Sequence, residues 1–136
     1  MNTFRLEIVV LDKAFYSGDV QELVVKTPEG EVGILKGHVP MAFTVSSGRL
    51  RIKKDEQWSC AFVSEGFMEV TGDKAVVLAD SAEWPEEIDY DRAKAAEERA
   101  RGALNGPTGA GNSGAREALQ RALWRQRVKN AQRKEQ

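Results

Sequence analysis

The apolar residues of this chain keep one period up to about residue 84 and another after it, and a single type of secondary structure cannot satisfy both. Phe4, Leu6, Ile8 and Val10 alternate with Arg5 and Glu7, the period-two mark of a half-buried strand. Met41, Phe43 and Val45 alternate likewise. Residues 49–53, 58–63, 66–70 and 75–78 read as further short strands, separated by Ser46-Ser47-Gly48, Lys54-Asp55-Glu56-Gln57 and Thr71-Gly72-Asp73-Lys74. Asp12-Lys13 reads as a turn and Phe15-Tyr16-Ser17-Gly18 as a connection. Residues 20–26 read as a second strand closed by Thr27-Pro28-Glu29-Gly30. Short strands with turn residues every ~8–12 positions predict an antiparallel β-sandwich, or flattened barrel, over residues 1–84.

Beyond Trp84-Pro85-Glu86-Glu87-Ile88 the spacing becomes helical, with Asp89 as the expected N-cap. Ala93, Ala96, Ala100 and Ala103 recur on one stripe, flanked by Lys94, Glu97, Glu98 and Arg101; Ala115, Ala118, Leu119, Ala122 and Leu123 form another. The chain is therefore expected to be α+β: the sandwich, then an antiparallel two-helix hairpin over 85–136 with helices at about 89–104 and 115–132. Alanine stripes allow close approach but bury little apolar area at ~25 cal/mol per Å². Such a hairpin is marginally stable unless it docks, which suits a movable element.

Charge divides the chain at the same place. Residues 1–88 hold 9 Lys/Arg against 15 Asp/Glu, net −6, and residues 89–136 hold 11 against 6, net +5. The tail alone, with Arg116, Arg121, Arg125, Arg127, Lys129, Arg133 and Lys134 against Glu117 and Glu135, is net +5. A helix of that charge could meet nucleic acid, an anionic membrane or an acidic protein surface, and Trp124 does not choose among them. No window approaches the ~18 consecutive apolar residues of a membrane span, and the first ten residues lack the basic-then-apolar pattern of a signal segment. A soluble chain is expected. One cysteine (Cys60) and one histidine (His38) exclude an intrachain disulfide and argue against a thiolate or imidazole metal site. His38 has no nucleophile or acid at readable spacing, so no catalytic group is predicted. Residues 105–114, NGPTGAGNSG, space Gly106 and Gly111 as a phosphate loop would, but the lysine is missing and the run follows a helix. It reads as an interhelical loop.

The stretch 31–40, EVGILKGHVP, reads as a short buried strand around Ile34-Leu35 that ends in a tight turn. Gly33 and Gly37 would tolerate positive φ, and Pro40 fixes φ and lacks a donor. Gly30 to Pro40 resembles the G-E-x-G-I-L-P-G-H-x-P signature of the epsilon subunit of F-type rotary ATP synthases, departing at Lys36, where the family usually has proline. The resemblance extends over Phe4 to Val9, Phe15 to Val20, Gly66 to Val70 and Gln120-Arg121-Ala122-Leu123. Ile88-Asp89-Tyr90-Asp91-Arg92-Ala93 matches the I/L-D-x-x-R-A motif of bacterial members that bind ATP.

The resemblance implies a non-catalytic rotor subunit: a ten-stranded sandwich gripping the gamma subunit and resting on the c-ring, and a mobile hairpin that rises toward the alpha/beta catalytic subunits to restrain ATP hydrolysis. It places the chain peripherally on the cytoplasmic side of the cell inner membrane. Rotor contacts would involve Glu31, Gly33 and His38. A regulatory ATP, with no other cofactor, would be held by Glu83, Ile88, Asp89, Arg92, Arg121 and Arg125. The inhibitory contact would use Arg121, Arg125 and Arg127. The alternative is a β-sandwich adaptor whose basic helices bind nucleic acid.

Overall fold

The computed structural model describes residues 2–11, 13–107 and 112–135. Two compact units are present, Met1–Glu83 and Trp84–Gln136.

The first unit is a sandwich of two five-stranded sheets. One has the order β2-β1-β9-β8-β5, from Lys13–Val20, Phe4–Val10, Lys74–Ala79, Gly66–Val70 and Met41–Val45. The other has the order β10-β7-β6-β3-β4, from Ala82–Glu83, Gln57–Val63, Gly48–Lys54, Glu22–Thr27 and Gly30–Leu35. The predicted alternation supplies the core. Leu6 and Ile8 of β1, Leu23 and Val25 of β3, Leu50 and Ile52 of β6, Met68 of β8 and Val77 of β9 are all fully buried. Pairing is antiparallel throughout except between β1 and β9, which run parallel from Arg5↔Lys74 to Val10↔Ala79.

The strands depart from the expected pattern in two places. Residues 15–18 are not a connection but the middle of β2, an edge strand pairing Ser17 with Glu7 and Val20 with Phe4. A register shift at Ile8/Val9 and the edge position remove the need for alternation, so Phe15 and Tyr16 are both only half-buried. Residues 20–26 are not one strand either. Val20 ends β2 in the first sheet, and Glu22 begins β3 in the second, opposite Leu35 and Lys53. Gln21 is the corner between them. Its amide donates to Lys53 O (2.8 Å), its Nε2 donates to Glu56 Oε1 (2.6 Å), and its Oε1 accepts from Glu56 N (2.8 Å). The same contacts pin the two-residue β6–β7 turn, where Asp55 (φ 51°) and Glu56 (φ 63°) both hold the left-handed conformation that such hairpins demand. The expected turn at Asp12 lies outside the described residues; beside it, Leu11 has φ 47°.

In the second unit, a short 3₁₀ turn, Pro85–Glu87, leads into α1, Tyr90–Leu104, and then α2, Ser113–Glu135. Asp89 caps α1 as predicted, its Oδ1 accepting from Arg92 N at 3.0 Å. Asn112, at the end of the glycine-rich run, caps α2 by accepting from Ala115 N at 2.9 Å. Gly109 and Gly111 lie outside the described residues. Gln126 meets Glu97, Lys129 meets Pro85 O and Gln132 meets Glu86, so the helices run antiparallel. Of the predicted stripe on α1, Ala93 and Ala100 are buried as expected, while Ala96 is half-buried and Ala103 exposed, and Glu97 is the third buried residue. The i, i+4, i+7 spacing of the three buried residues traces one face of a 3.6-residue helix, and a charged residue sits in its middle.

Candidate functional site

The first candidate region is the end of β4 and the turn after it. His38 N donates to Leu35 O (3.1 Å), closing a four-residue turn with Gly37 third at φ 81°. A left-handed third residue is the mark of a type II turn, whose second position, occupied here by Lys36, favours proline. His38 Nδ1 lies 2.9 Å from Val39 O. Among the described residues the glycines with positive φ are Gly30 and Gly37, so the tolerance expected at Gly33 is not used. Gly33 is an ordinary strand residue opposite Val24, and a Cβ there would meet only Glu22 Oε2 at 3.6 Å. Leu35 is likewise not buried: side chains alternate along β4, so Ile34 fills the core and Leu35 is 57% exposed. With Val39 (68%) and Met41 (40%) it makes an exposed apolar rim around the turn.

Glu31 and Gly33 share the exposed phase of β4 with Leu35, but Glu31 is about 13 Å back along the strand at ~3.3 Å per residue. Beside it, Arg51 bridges Glu31 (3.7 Å) and the half-exposed ring of Trp58 (5.6 Å). Glu31, Gly33 and His38 therefore lie along one strand and its following turn rather than in one cluster.

The second candidate region is the hairpin. Ile88 is 3% exposed and its amide donates to Pro85 O (3.2 Å), so its side chain anchors the entry to α1. Asp89 and Arg92 are exposed at the first turn of α1. With Gln126 opposite Glu97, Arg125 lies level with residue 98 and Arg121 with residue 102 on the neighbouring helix. That is roughly 9–20 Å along the axis from Asp89 and Arg92 at ~1.5 Å per residue. Arg121 and Arg125 are half-buried, whereas Arg127 is exposed and stacks on Trp124, its Cζ 4.7 Å from the ring centre. The side chains of Arg133 and Lys134 lie outside the described ones. Glu83 belongs to the sandwich unit, in β10 opposite Phe62.

A polar cluster that residue spacing alone did not single out lies between the helices. Glu97 Oε1 accepts from Gln126 Nε2 (2.9 Å) and lies 3.6 Å from Lys94 Nζ, and Oε2 accepts from Arg101 Nε (2.8 Å). The Gln126 hydrogen bond first, then that of Arg101, hold the Glu97 carboxyl down at about 2 against an ordinary 4.5, with burial opposing them. The signal was available, since Glu97 falls on the spacing set by Ala93 and Ala100. Lys129 Nζ adds a bond to Pro85 O (2.9 Å), tying the far end of α2 to the 3₁₀ turn. Among the described residues no three His, Cys, Asp or Glu side chains gather as metal ligands would, and no helix is long and apolar enough to cross a membrane.

Comparison with known proteins matches both units. Residues 3–85 fit the model of the ATP synthase delta/epsilon chain beta-sandwich domain, and residues 86–130 that of its long alpha-helix domain. The ATP synthase epsilon chain of Caldanaerobacter subterraneus subsp. tengcongensis is 48% identical over 128 residues, covering 93% of this chain and 93% of that one. That of Bacillus pumilus is 40% identical over 128 residues, covering 94% and 98%. A chain in the OSCP/F1/c-ring structure of the Euglena gracilis mitochondrial ATP synthase superposes with a TM-score of 0.77 at 25% identity, over 87% of this chain and 76% of that one. A chain in the Tetrahymena thermophila central stalk/c-ring structure has the same fold, with a TM-score of 0.65 at 12% identity over 92% and 95%.

Proposed function

The chain belongs to the ATP synthase delta/epsilon family, and from that premise we propose a division of labour between its two units as a central-stalk subunit without catalytic residues of its own. The sandwich grips the gamma subunit and rests on the c-ring, with the rim of Leu35, Val39 and Met41 around His38 as its apolar contact and Glu31 and Gly33 on the adjoining strand face. Assembly then holds the chain peripherally on the cytoplasmic side of the inner membrane. The nucleic-acid adaptor is not supported by these relatives.

The hairpin is the regulatory part. It opens and extends toward the alpha/beta subunits, where Arg121, Arg125 and Arg127 meet an acidic segment and restrain ATP hydrolysis. The observation that carries this reading is the helix–helix interface, whose buried side chains among the described residues are four alanines and Val128 around one polar pair, which gives closure little apolar burial to oppose opening. ATP favours the closed hairpin. Asp89 uses only Oδ1 for the cap, so Oδ2 can accept from an adenine amino group or a ribose hydroxyl while the helix start stays intact. Arg92, Arg121 and Arg125 supply cations for the phosphates over a span that an extended nucleoside triphosphate can bridge. Ile88 contributes by fixing the helix start.

Truncation after Asn105 tests the reading in the assembled enzyme. Hydrolysis should rise while co-purification with gamma persists. Parental hydrolysis by the truncated form, at low salt and without added nucleotide, would remove the inhibitory role. Loss of gamma binding on truncation would remove the division of labour.

A further inference from the structure

Among the described residues, the buried side chains of the two helices are Ala93, Ala100, Ala115, Ala122 and Val128, with only Glu97 and Gln126 polar beside them. Alanine faces specify register poorly, because a shift of one helical turn exchanges one small side chain for another. A buried polar pair is satisfied in one alignment alone, and a slip would leave a carboxylate or an amide without its partner. Two of the three groups facing Glu97 travel with it: Lys94 at i−3 and Arg101 at i+4 are on its own helix. Gln126 alone crosses to the other helix. When the helices part, the carboxylate keeps its cations and loses its Gln126 hydrogen bond, the buried one of the bonds that α2 makes to Glu97, Pro85 and Glu86.

We propose that the Glu97–Gln126 hydrogen bond is the latch of the hairpin: it fixes the register of the closed form and sets the fraction of molecules that are open. By fixing that register it also sets where Arg121 and Arg125 stand relative to Asp89 and Arg92, so both act as positioning residues for the nucleotide. The latch rests on the reading of the hairpin as an element that opens. Its strength is tuned by the charge at position 126, because the group facing it is a carboxylate that stays ionised and paired.

The test uses the full chain in a Cys60→Ala background, with spin labels at Ala95→Cys and Gln120→Cys, both exposed positions on opposite helices. The distance distribution between the labels reports the open fraction. Gln126→Glu sets two carboxylates face to face, and loss of a charge-assisted hydrogen bond should raise the open fraction about ten- to a hundred-fold. Gln126→Lys presents a cation and should stay at least as closed as the parent. Nucleotide affinity should follow the same order, lowest in Gln126→Glu. An unchanged distribution in Gln126→Glu overturns the latch. So does opening of Gln126→Lys to the same extent, since side-chain shape rather than the hydrogen bond would then control closure. The distances are read without the enzyme: populations that follow the charge while hydrolysis in the assembled enzyme stays flat would support the latch and sink the inhibitory role.

Discussion

Replacing Gly66 with alanine should cost the sandwich more than any other single methyl group. Gly66 opens β8, an interior strand, between Ala79 of β9 and Val45 of β5. A Cβ there would overlap the Leu78 carbonyl oxygen and come within 2.9 Å of the Ala79 Cα. Both are backbone atoms, so no rotamer change relieves them, and the strands must separate locally by about 1 Å to restore contact distances. Overpacking costs about 1–3 kcal/mol, and weakening one or two ladder hydrogen bonds adds about 1 kcal/mol each. A total near 3–4 kcal/mol is a large share of the roughly 4–12 kcal/mol expected for a unit of this size. At about 4–8 °C per kcal/mol, the sandwich transition should fall by roughly 12–30 °C in calorimetry of the full chain. Gly33→Ala is the matched control. Its new methyl meets one carboxylate oxygen at an ordinary 3.6 Å, so the change should stay within about 0.5 kcal/mol. A Gly66→Ala transition within about 3 °C of the parent, less than 1 kcal/mol on that scale, would refute the reasoning. If gamma approaches the exposed face of β4 closely, Gly33→Ala should melt like the parent yet co-purify less gamma.

Arg92→Ala should weaken ATP binding in isothermal titration about ten- to a hundred-fold while leaving helix melting unchanged, because the α1 cap uses the backbone amide of residue 92 and not its side chain; an unchanged isotherm would leave Asp89 and Arg92 as capping residues only. Neutralising Arg121, Arg125 and Arg127 together should reproduce much of the rise in hydrolysis expected on truncation after Asn105, and more so at low salt, where screening is weakest. The folded-state pKa of Glu97 is depressed to about 2 from 4.5. The Gln126 hydrogen bond, the largest cause of that depression and the one lost on opening, therefore supports closure fully above about pH 4.5 and stops doing so as the pH falls toward 2. The label distance should lengthen across that window, and Glu97→Gln should flatten the response.

The sandwich was legible where one face of a strand meets the core, because burial there imposes the period-two pattern that β1, β8 and β9 display. It was not legible at residues 15–18, where β2 is an edge and both aromatic side chains are half-buried. The sheet switch at Gln21 was hidden as well, since the residues around it stay apolar while their partners change. At the turn, the glycine pattern predicted positive φ but not which glycine would take it; the hydrogen bond from His38 to Leu35 puts it on Gly37. The hairpin was readable from its alanines and its cap. Its central interaction was half legible: Glu97 falls on the buried spacing of Ala93 and Ala100, but nothing in the spacing of α1 points to Gln126 as its partner. The pairing of Arg127 with Trp124 likewise depends on rotamers, which residue spacing does not encode.

The parallel ladder between β1 and β9 sets a timetable for making the protein. Strand β1 gains its antiparallel neighbour β2 as soon as residue 20 exists, but its other flank stays open until β9 is finished at Ala79. At about 5–20 residues per second of synthesis, that edge waits roughly 3–12 s after β2 is complete with its hydrogen-bonding groups unpaired. Once β9 closes it, the N-terminal ladder is complete while the helices are still to be made. A ribosome that stalls within the hairpin would release a finished sandwich, whereas one that stalls before residue 74 would release an unfinished sheet with its N-terminal strand available to another chain.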